Sequence, residues 1–346
     1  MMKKFFKKFS QDLGIDLGTS NTLIYLKDRG IVINEPSVVA INNRTDQIVA
    51  VGKQAQKMLN KTPPQISVIN PLVDGVISDF EVAEKMLAHL INRLFGETKI
   101  FRPRPRVVIG VPLDITEVER KAVEDAAKSA GAREVYLIEK AMATAIGARL
   151  PVQEPYGHML VDLGGGTTEI VVISLDGVVT WKSMRFAGSA LTENIIQYVR
   201  EHHNMLIGSP IAEEIKKRIG SATKLIEQLE IKARGRDLIT GLPKEIILND
   251  GEIRDALRRS VQMIIDDVKA TLEVTPPELV ADIYERGIML AGGGAMLKNI
   301  DLAIAEATKI PVRIADDPLT CVARGTGIVI ENFETLKDIV LTSANG

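Results

Sequence analysis

Residues 162 to 170 read DLGGGTTEI, and residues 16 to 22 read DLGTSNT. Both stretches set an aspartate, Asp162 or Asp16, ahead of glycine and hydroxyl side chains, nearly half a chain apart. Apolar, β-branched sequence flanks each of them, LGIDLGTSNTLIYL around the first and HMLVDLGGGTTEIVVIS around the second. Gly18 and the run Gly164, Gly165 and Gly166 are therefore predicted at hairpin tips and not at strand-to-helix turns. After each tip the chain runs through a strand meander and then helices, so a large unit is duplicated. Strands mixed with helices in both halves predict α/β layers with ligands at the cleft between them.

Working outward, residues 13–43 read as strands broken at Gly18, at 28–30 and at Pro36. VAEKMLAHLINRLFG has helical spacing, with Val82, Met86, Leu90 and Leu94 on one face. RPRPRVVIGVP leads into a short buried strand at 107–111. Thr116 opens a helix with Glu119 three residues on as a capping box, and that helix stops near Gly131. Val118, Ala122 and Ala126 share one of its faces and are expected in the core. VYLIEKAMATAIGARL is a strand running into a helix. Residues 158–186 form the second meander, with Asp176-Gly177 as a hairpin turn. Residues 189–234 are expected to be mostly helical, and 253–273 to be one long helix. IMLAGGGAMLKNIDLAIAEAT is strand, glycine turn and helix, and VARGTGIVIENF is a final helix or strand pair.

The chain has 346 residues, enough for about two domains and a core that needs no staples. Its hydrophobic share of 45% and charged share of 25% are those of an ordinary globular protein. A net charge of -2 gives no electrostatic case for nucleic acid. The single cysteine, Cys321, excludes an internal disulfide and points to a reducing compartment, and with four histidines it argues against a zinc site. No apolar run approaches the roughly 18 residues of a membrane span.

The leading MMKKFFKKFS lacks the apolar stretch of about 7–15 residues that a secretory signal would carry after its lysines. As a helix it sets Met1, Met2, Phe5, Phe6 and Phe9 within an arc of about 140°, opposite Lys3, Lys4, Lys7 and Lys8. Such a partition suits an interfacial helix on anionic lipid; the alternative is a disordered basic tail.

Neither a G-x-x-x-x-G-K-[ST] loop nor a G-x-G-x-x-G fingerprint is present. A glycine-rich tip bares successive amides that make an anion nest, and Thr19, Ser20, Asn21, Thr167 and Thr168 add side-chain donors. Each tip suits phosphate, yet each follows an aspartate that repels it. Mg²⁺ between carboxylate and phosphate removes the conflict, because that ion keeps its waters and uses few carboxylates. One such tip would be read as an ordinary turn; two in equivalent places favour phosphate binding. Gly292, Gly293 and Gly294 of the third turn run into a helix, which suits either a nucleotide or tight strand–helix packing.

IDLGTSNT, VDLGGGTTEI and LAGGGAML resemble the two phosphate motifs and the adenosine motif of the actin-like ATPase superfamily. IEKAMATAIGA at 138–148 and VARGTGIVI at 322–330 resemble its two connecting helices. NEPSVVAI, RVVIGVP and the amphipathic tail narrow the similarity to the bacterial actins that organise the rod-shaped cell wall, over essentially the whole chain. The resemblance implies an actin-like ATPase fold: two duplicated ribonuclease-H-like α/β domains around a nucleotide cleft, each with a small subdomain. It implies one large subdomain at 10–33, 74–150 and 323–346 with its small one at 34–73. The second pair would be 151–189 with 254–322, and 190–253.

By motif match, Gly18, Thr19, Ser20 and Asn21 contact the phosphates of ATP from one side, and Gly164, Gly165 and Gly166 from the other. Asp16 and Asp162 hold Mg²⁺ through water. Gly292, Gly293, Gly294 and Ala295 lie along the adenosine, and Ala212, Glu213, Glu214 and Ile215 cover ribose and base. On the residues alone, Glu213–Lys217 and Glu214–Arg218 are i,i+4 ion pairs of a solvated helix. Glu139, otherwise a helix-start carboxylate, and Thr167 orient the attacking water for slow hydrolysis.

The family further implies a homopolymer of paired, antiparallel protofilaments. These would be peripheral at the inner face of the cytoplasmic membrane and would work with the cell-wall elongation machinery. An apolar loop in the family makes Ile100 and Phe101 a second insertion point, or simply residues packed under the loop. The competing function is a sugar or acetate kinase of the same fold, for which no substrate-hydroxyl base stands out. A chaperone-like ATPase would carry a peptide-binding domain after the second connecting motif.

Overall fold

The structure, a computed structural model, describes residues 12–95 and 104–341. The amphipathic tail, with Met1, Met2, Phe5, Phe6 and Phe9, and the pair Ile100 and Phe101 lie outside the described residues. The chain divides into two compact units, residues 1–152 with 320–346, and residues 153–319.

In the first unit, Leu13–Leu17 is the central strand of a five-stranded sheet. It runs antiparallel to Asn21–Leu26, which is antiparallel to Gly30–Pro36. On its other side it runs parallel to Arg106–Val111, which is parallel to Glu134–Glu139. All five residues of the central strand are buried, because both sheet faces are covered. Leu13, Ile15 and Leu17 join a core with Val82, Met86, Leu90 and Val123 from helices Phe80–Phe95 and Glu117–Ser129. The alternation of a strand turns Gly14 to the opposite face, where a Cβ would meet Thr326 and Gly327 of helix Cys321–Glu331. Gln47–Val51, Val39–Asn42 and Ile66–Ile69 make a separate three-stranded sheet beside the short helix Lys53–Met58.

The second unit repeats the plan. His158–Leu163 lies between antiparallel Thr168–Ser174, followed by Gly177–Met184, and parallel Ile288–Ala291, followed by Val312–Ile314. Numbered in chain order within each sheet, both sheets run 3-2-1-4-5. The duplication expected from the paired I/V-D-L-G openings is thus a duplication of topology. Helices Gly188–His203 and Asp250–Glu273 pack on the second core through Leu191, Ile195, Leu257 and Ile264.

Four expectations are corrected. The helical stretch ends at Ser209–Ile219, and Glu230–Asp237 is instead a strand paired with Pro243–Asn249. In EIKARGRD the polar residues alternate around buried Ala233, so one face packs and the other is solvated. The central residues of the hairpin turn are Leu175 and Asp176, both at positive φ (51° and 60°), one place before Asp176-Gly177. Val118 is 80% exposed and not in the core, although Ala126 on the same helix is fully buried. The glycines of the third turn enter a single 3₁₀ turn, Gly293–Met296, and the helix Ile300–Thr308 starts only afterwards. The capping box at Thr116 is present, with Glu119 N–H donating to Thr116 Oγ1 at 3.2 Å and Thr116 N–H to Glu119 Oε2 at 2.9 Å. A second box, Asn249 with Glu252, starts the long helix at Asp250, three residues earlier than its apolar spacing indicates. Among the described residues no helix is long and apolar enough to cross a membrane.

Candidate functional site

The two glycine tips are built alike. Leu17 pairs with Thr22 and Leu163 with Thr168, so each tip is a four-residue loop in the same register. Gly18 N–H donates to Asn21 O at 3.2 Å, and Gly164 N–H to Thr167 O at 2.9 Å. A Cβ on Gly18 would stand 2.7 Å from Asn21 O, and one on Gly164 would stand 2.7 Å from Thr167 O. Any larger residue at the first position would push its own turn open, which is the physical reason for glycine there.

Side chains brace the first tip. Ser37 Oγ donates to Gly18 O at 2.6 Å and lies 2.9 Å from Thr22 Oγ1. Thr19 Oγ1 accepts from Gly75 N–H at 2.9 Å, which leaves its own proton available to a ligand. Ser20 at the apex is exposed and Asn21 partly so. Asp16, at the root of this tip, is 8% exposed and faces the ammonium of Lys140, Nζ to Oδ1 3.2 Å. Glu139, in the same unit, ends its strand and sits at the N-cap of helix Lys140–Gly147 without capping it through its side chain. Burial raises the Glu139 pKa above the ordinary carboxylate value, and the charge of Arg120 offsets part of that rise.

The second tip is braced by a helix N-terminus. Gly188 and Ser189 N–H donate to Gly164 O and Gly165 O at 3.1 and 2.8 Å, and Ser189 Oγ adds a bond to Gly165 O at 2.9 Å. Gly166 and Thr167 are buried, as is Asp162 at 4% exposure. Gly292 has φ 77°, and a Cβ on it would overlap both the Asp162 carboxylate and Leu163 O. A Cβ on Gly294 would stand 2.7 Å from that of Leu163. The third turn thus closes against the root of the second tip, so its glycines do serve tight packing; Gly293 is exposed and Ala295 belongs to the core.

Ala212 and Ile215 point into that core as well, so only Glu213 and Glu214 of their segment present side chains outside it. Glu214 pairs with Arg218 at 3.3 Å and Glu213 with Lys217 at 3.2 Å, the i,i+4 pairs expected of the helix. Glu213 does more. Its Oε2 lies 2.6 Å from Lys216 Nζ and accepts from Thr192 Oγ1 at 2.6 Å. Burial alone would raise its pKa, but the Lys216 charge and these two hydrogen bonds hold it below the ordinary value. Lys216 Nζ also donates to Gly188 O at 2.7 Å, which links Glu213 to the residue that braces Gly164.

Lys140, Gly188, Ser189 and Lys216 were not singled out from the sequence. Gly-Ser at the opening of a helix was the one local signal for the second pair, while Lys140 and Lys216 have meaning only through their spatial neighbours. Among the described residues no three His, Cys, Asp or Glu side chains cluster as a metal cage. A hydrated Mg²⁺ needs only one or two carboxylates. Asp162 fits that demand, whereas at Asp16 the Lys140 ammonium already supplies a counter-charge.

The family model described as MreB/Mbl protein matches residues 10–338. Over 338 residues the chain is 52% identical to the cell shape-determining protein MreB of Escherichia coli strain K12, covering 96% of this chain and 97% of that one. It is 46% identical over 328 residues to the cell shape-determining protein Mbl of Bacillus subtilis strain 168, covering 95% and 98%. The crystal structure of MreB5 of Spiroplasma citri bound to ADP superposes with a TM-score of 0.90 at 38% identity, covering 97% of this chain and 99% of that one. The same protein bound to AMPPNP gives 0.89. Against these full-length matches the small-molecule kinase alternative is not favoured. With the duplicated sheets and paired tips in place, the chain belongs to the MreB/Mbl family of actin-like proteins that determine cell shape.

Proposed function

We propose that the chain binds ATP with magnesium, hydrolyses it slowly, and polymerises on the inner face of the cytoplasmic membrane to organise wall synthesis. The observation that carries this reading is the pair of tips with one register and one closing hydrogen bond. In the proposal, Gly18, Thr19, Ser20 and Asn21 grip phosphate, as do Gly164, Gly165 and Gly166. Glu213 and Glu214 take the ribose side, and the turn from Gly292 to Ala295 takes the adenosine. Glu139 and Thr167 orient the attacking water. Mg²⁺, when bound, spreads positive charge over the phosphate oxygens, held through water by Asp162 and by Asp16 so far as Lys140 allows. An adenine nucleotide is favoured because the solved relative MreB5 carries ADP or AMPPNP.

Light scattering of the full chain tests the core of this proposal. ATP with magnesium is expected to raise scattering. Asp162→Ala, with an unchanged circular dichroism spectrum, is expected to leave it flat. A flat wild-type trace, together with no heat on titrating adenine nucleotides, would sink the reading.

Membrane attachment is assigned to Met1, Met2, Phe5, Phe6 and Phe9, with Ile100 and Phe101 as a second contact. Each buried phenylalanine stabilises by about 1.5–3 kcal/mol. Ordering a ten-residue tail costs roughly 1–2 kcal/mol per residue in backbone entropy. A lone subunit therefore binds marginally, and linked tails in a polymer bind far better through effective concentration. Replacing Phe5, Phe6 and Phe9 by Asp is expected to abolish flotation with anionic liposomes and to leave ATP binding intact. Continued flotation would assign the anchor elsewhere. Antiparallel pairing of protofilaments and contact with the wall-elongation machinery complete the proposal, and family membership supports them.

A further inference from the structure

The first tip carries a cation of its own. Asp16 pairs across the sheet with Gly110, and Gly110 pairs in turn with Ile138 of the next parallel strand. That strand ends at Glu139, and Lys140 opens the helix Lys140–Gly147. Gly110 puts no side chain into this row. A Cβ there would stand 3.8 Å from Lys140 Cα and 3.9 Å from its Cβ, so the lysine stem crosses the glycine to reach Asp16. Nζ ends 3.2 Å from Asp16 Oδ1, and each of the two residues is 8% exposed. The contact is one of charge without hydrogen-bond geometry, since Asp16 Oδ1 receives no hydrogen bond. The same oxygen lies 3.6 Å from the Cβ position of Gly18, which places the ion pair at the root of the tip.

A lysine in this place is expensive. Its ammonium is buried, its long side chain is ordered, and it sits at the first position of a helix, where the dipole disfavours a cation. Asp16 offsets these costs, and an anion held by the Gly18 tip would offset them further. The ammonium also answers the difficulty that an aspartate beside a phosphate tip creates. It neutralises the carboxylate from within the chain, at the spot where a divalent ion would otherwise have to do so.

We propose that Lys140 is a phosphate-binding residue of the first tip, whose ammonium supplies at Asp16 the charge otherwise supplied by a divalent metal. The chain would then hold a nucleoside triphosphate with little dependence on magnesium. This rests on the nucleotide-binding reading above. Lysine binds phosphate as a point charge, and at Asp16 it competes with a hydrated metal for one carboxylate, which leaves Asp162 as the metal's partner.

Calorimetric titration of ATP into the full chain, in excess Mg²⁺ and in EDTA, tests the proposal. Removing magnesium is expected to weaken wild-type binding by less than about tenfold, and binding to Lys140→Met by about a hundredfold or more. Lys140→Met strands a buried carboxylate, so the double variant Asp16→Asn with Lys140→Met, which removes both charges, accompanies it. That variant should, like Lys140→Met, lose about a hundredfold or more of its affinity when EDTA replaces magnesium. Lys140→Arg, which keeps the charge, should stay close to wild type in both. Wild-type binding that collapses in EDTA as far as Lys140→Met overturns the role of Lys140 and leaves nucleotide binding standing. The wild-type ratio alone decides if neither variant folds. Absence of wild-type heat in both conditions overturns the nucleotide reading and the proposal together.

Discussion

Glu139→Gln is expected to lower ATP turnover by about 10²- to 10⁴-fold while nucleotide affinity stays within about threefold. The amide keeps the size and hydrogen-bonding reach of the side chain but cannot accept the proton of the attacking water. Phosphate release measured beside calorimetric affinity separates the two effects. Wild-type turnover in the variant would remove Glu139 from the mechanism. The same variant has a stability signature of opposite sign. Burial raises the folded-state pKa of Glu139 above its unfolded value. The protonated form is therefore the one the fold prefers, and its contribution is fully present below about pH 4.3, the unfolded value. It is lost as pH rises through the raised folded pKa. Glutamine, neutral at every pH, avoids that loss. The variant is expected to melt higher than wild type at pH 7, with the gap closing as pH falls toward 4. A catalytic lesion that also stabilises is hard to mistake for misfolding.

Gly325→Ala is expected to cost about 3 kcal/mol, at the upper end of what overpacking a core costs. Helix Cys321–Glu331 crosses helix Lys140–Gly147 within the first unit, and the crossing rests on glycine from both sides. A Cβ on Gly325 would overlap the Ala143 carbonyl, and one on Gly147 would overlap the Cys321 carbonyl. The obstacles are backbone atoms and not the ends of flexible side chains, so neither can move aside without shifting a helix. A drop of about 6–10 °C in melting temperature should follow. Gly177→Ala is the control, because its Cβ would have only ordinary contacts, the nearest at 3.6 Å, and its φ is not positive. Equal melting of the two variants would show that the crossing is looser than its geometry. The crossing also packs helix Lys140–Gly147, so the lesion is expected to weaken nucleotide binding through Lys140.

The motifs legible in the sequence are those whose physics is local. A glycine that must close a four-residue tip, a threonine that caps its helix through a glutamate three residues on, and an aspartate before a glycine-rich tip all act within one turn of chain. The failures share a different cause. The expected, mostly helical stretch 189–234 runs into the first residues of EIKARGRD, whose charged residues suit either period, and only pairing with Pro243–Asn249 selects the strand. Val118 lies on the same helix as buried Ala126 yet is left outside the core by how that helix packs. The turn at Leu175 and Asp176 puts a leucine at positive φ, which hairpin closure imposes against its own preference.

Sequence alone determined the duplicated α/β plan, the two acidic glycine tips, most of the helices and the family, because hydrophobic period and turn chemistry are carried by neighbours in the chain. Tertiary structure alone decided that Lys140 meets Asp16 across Gly110, that Lys216 ties Glu213 to Gly188, and that Gly292 seats against Asp162. Each of those contacts depends on strand register or on helix packing between residues far apart in the chain, and pairwise charge and contact energies act only once the fold has brought such residues together.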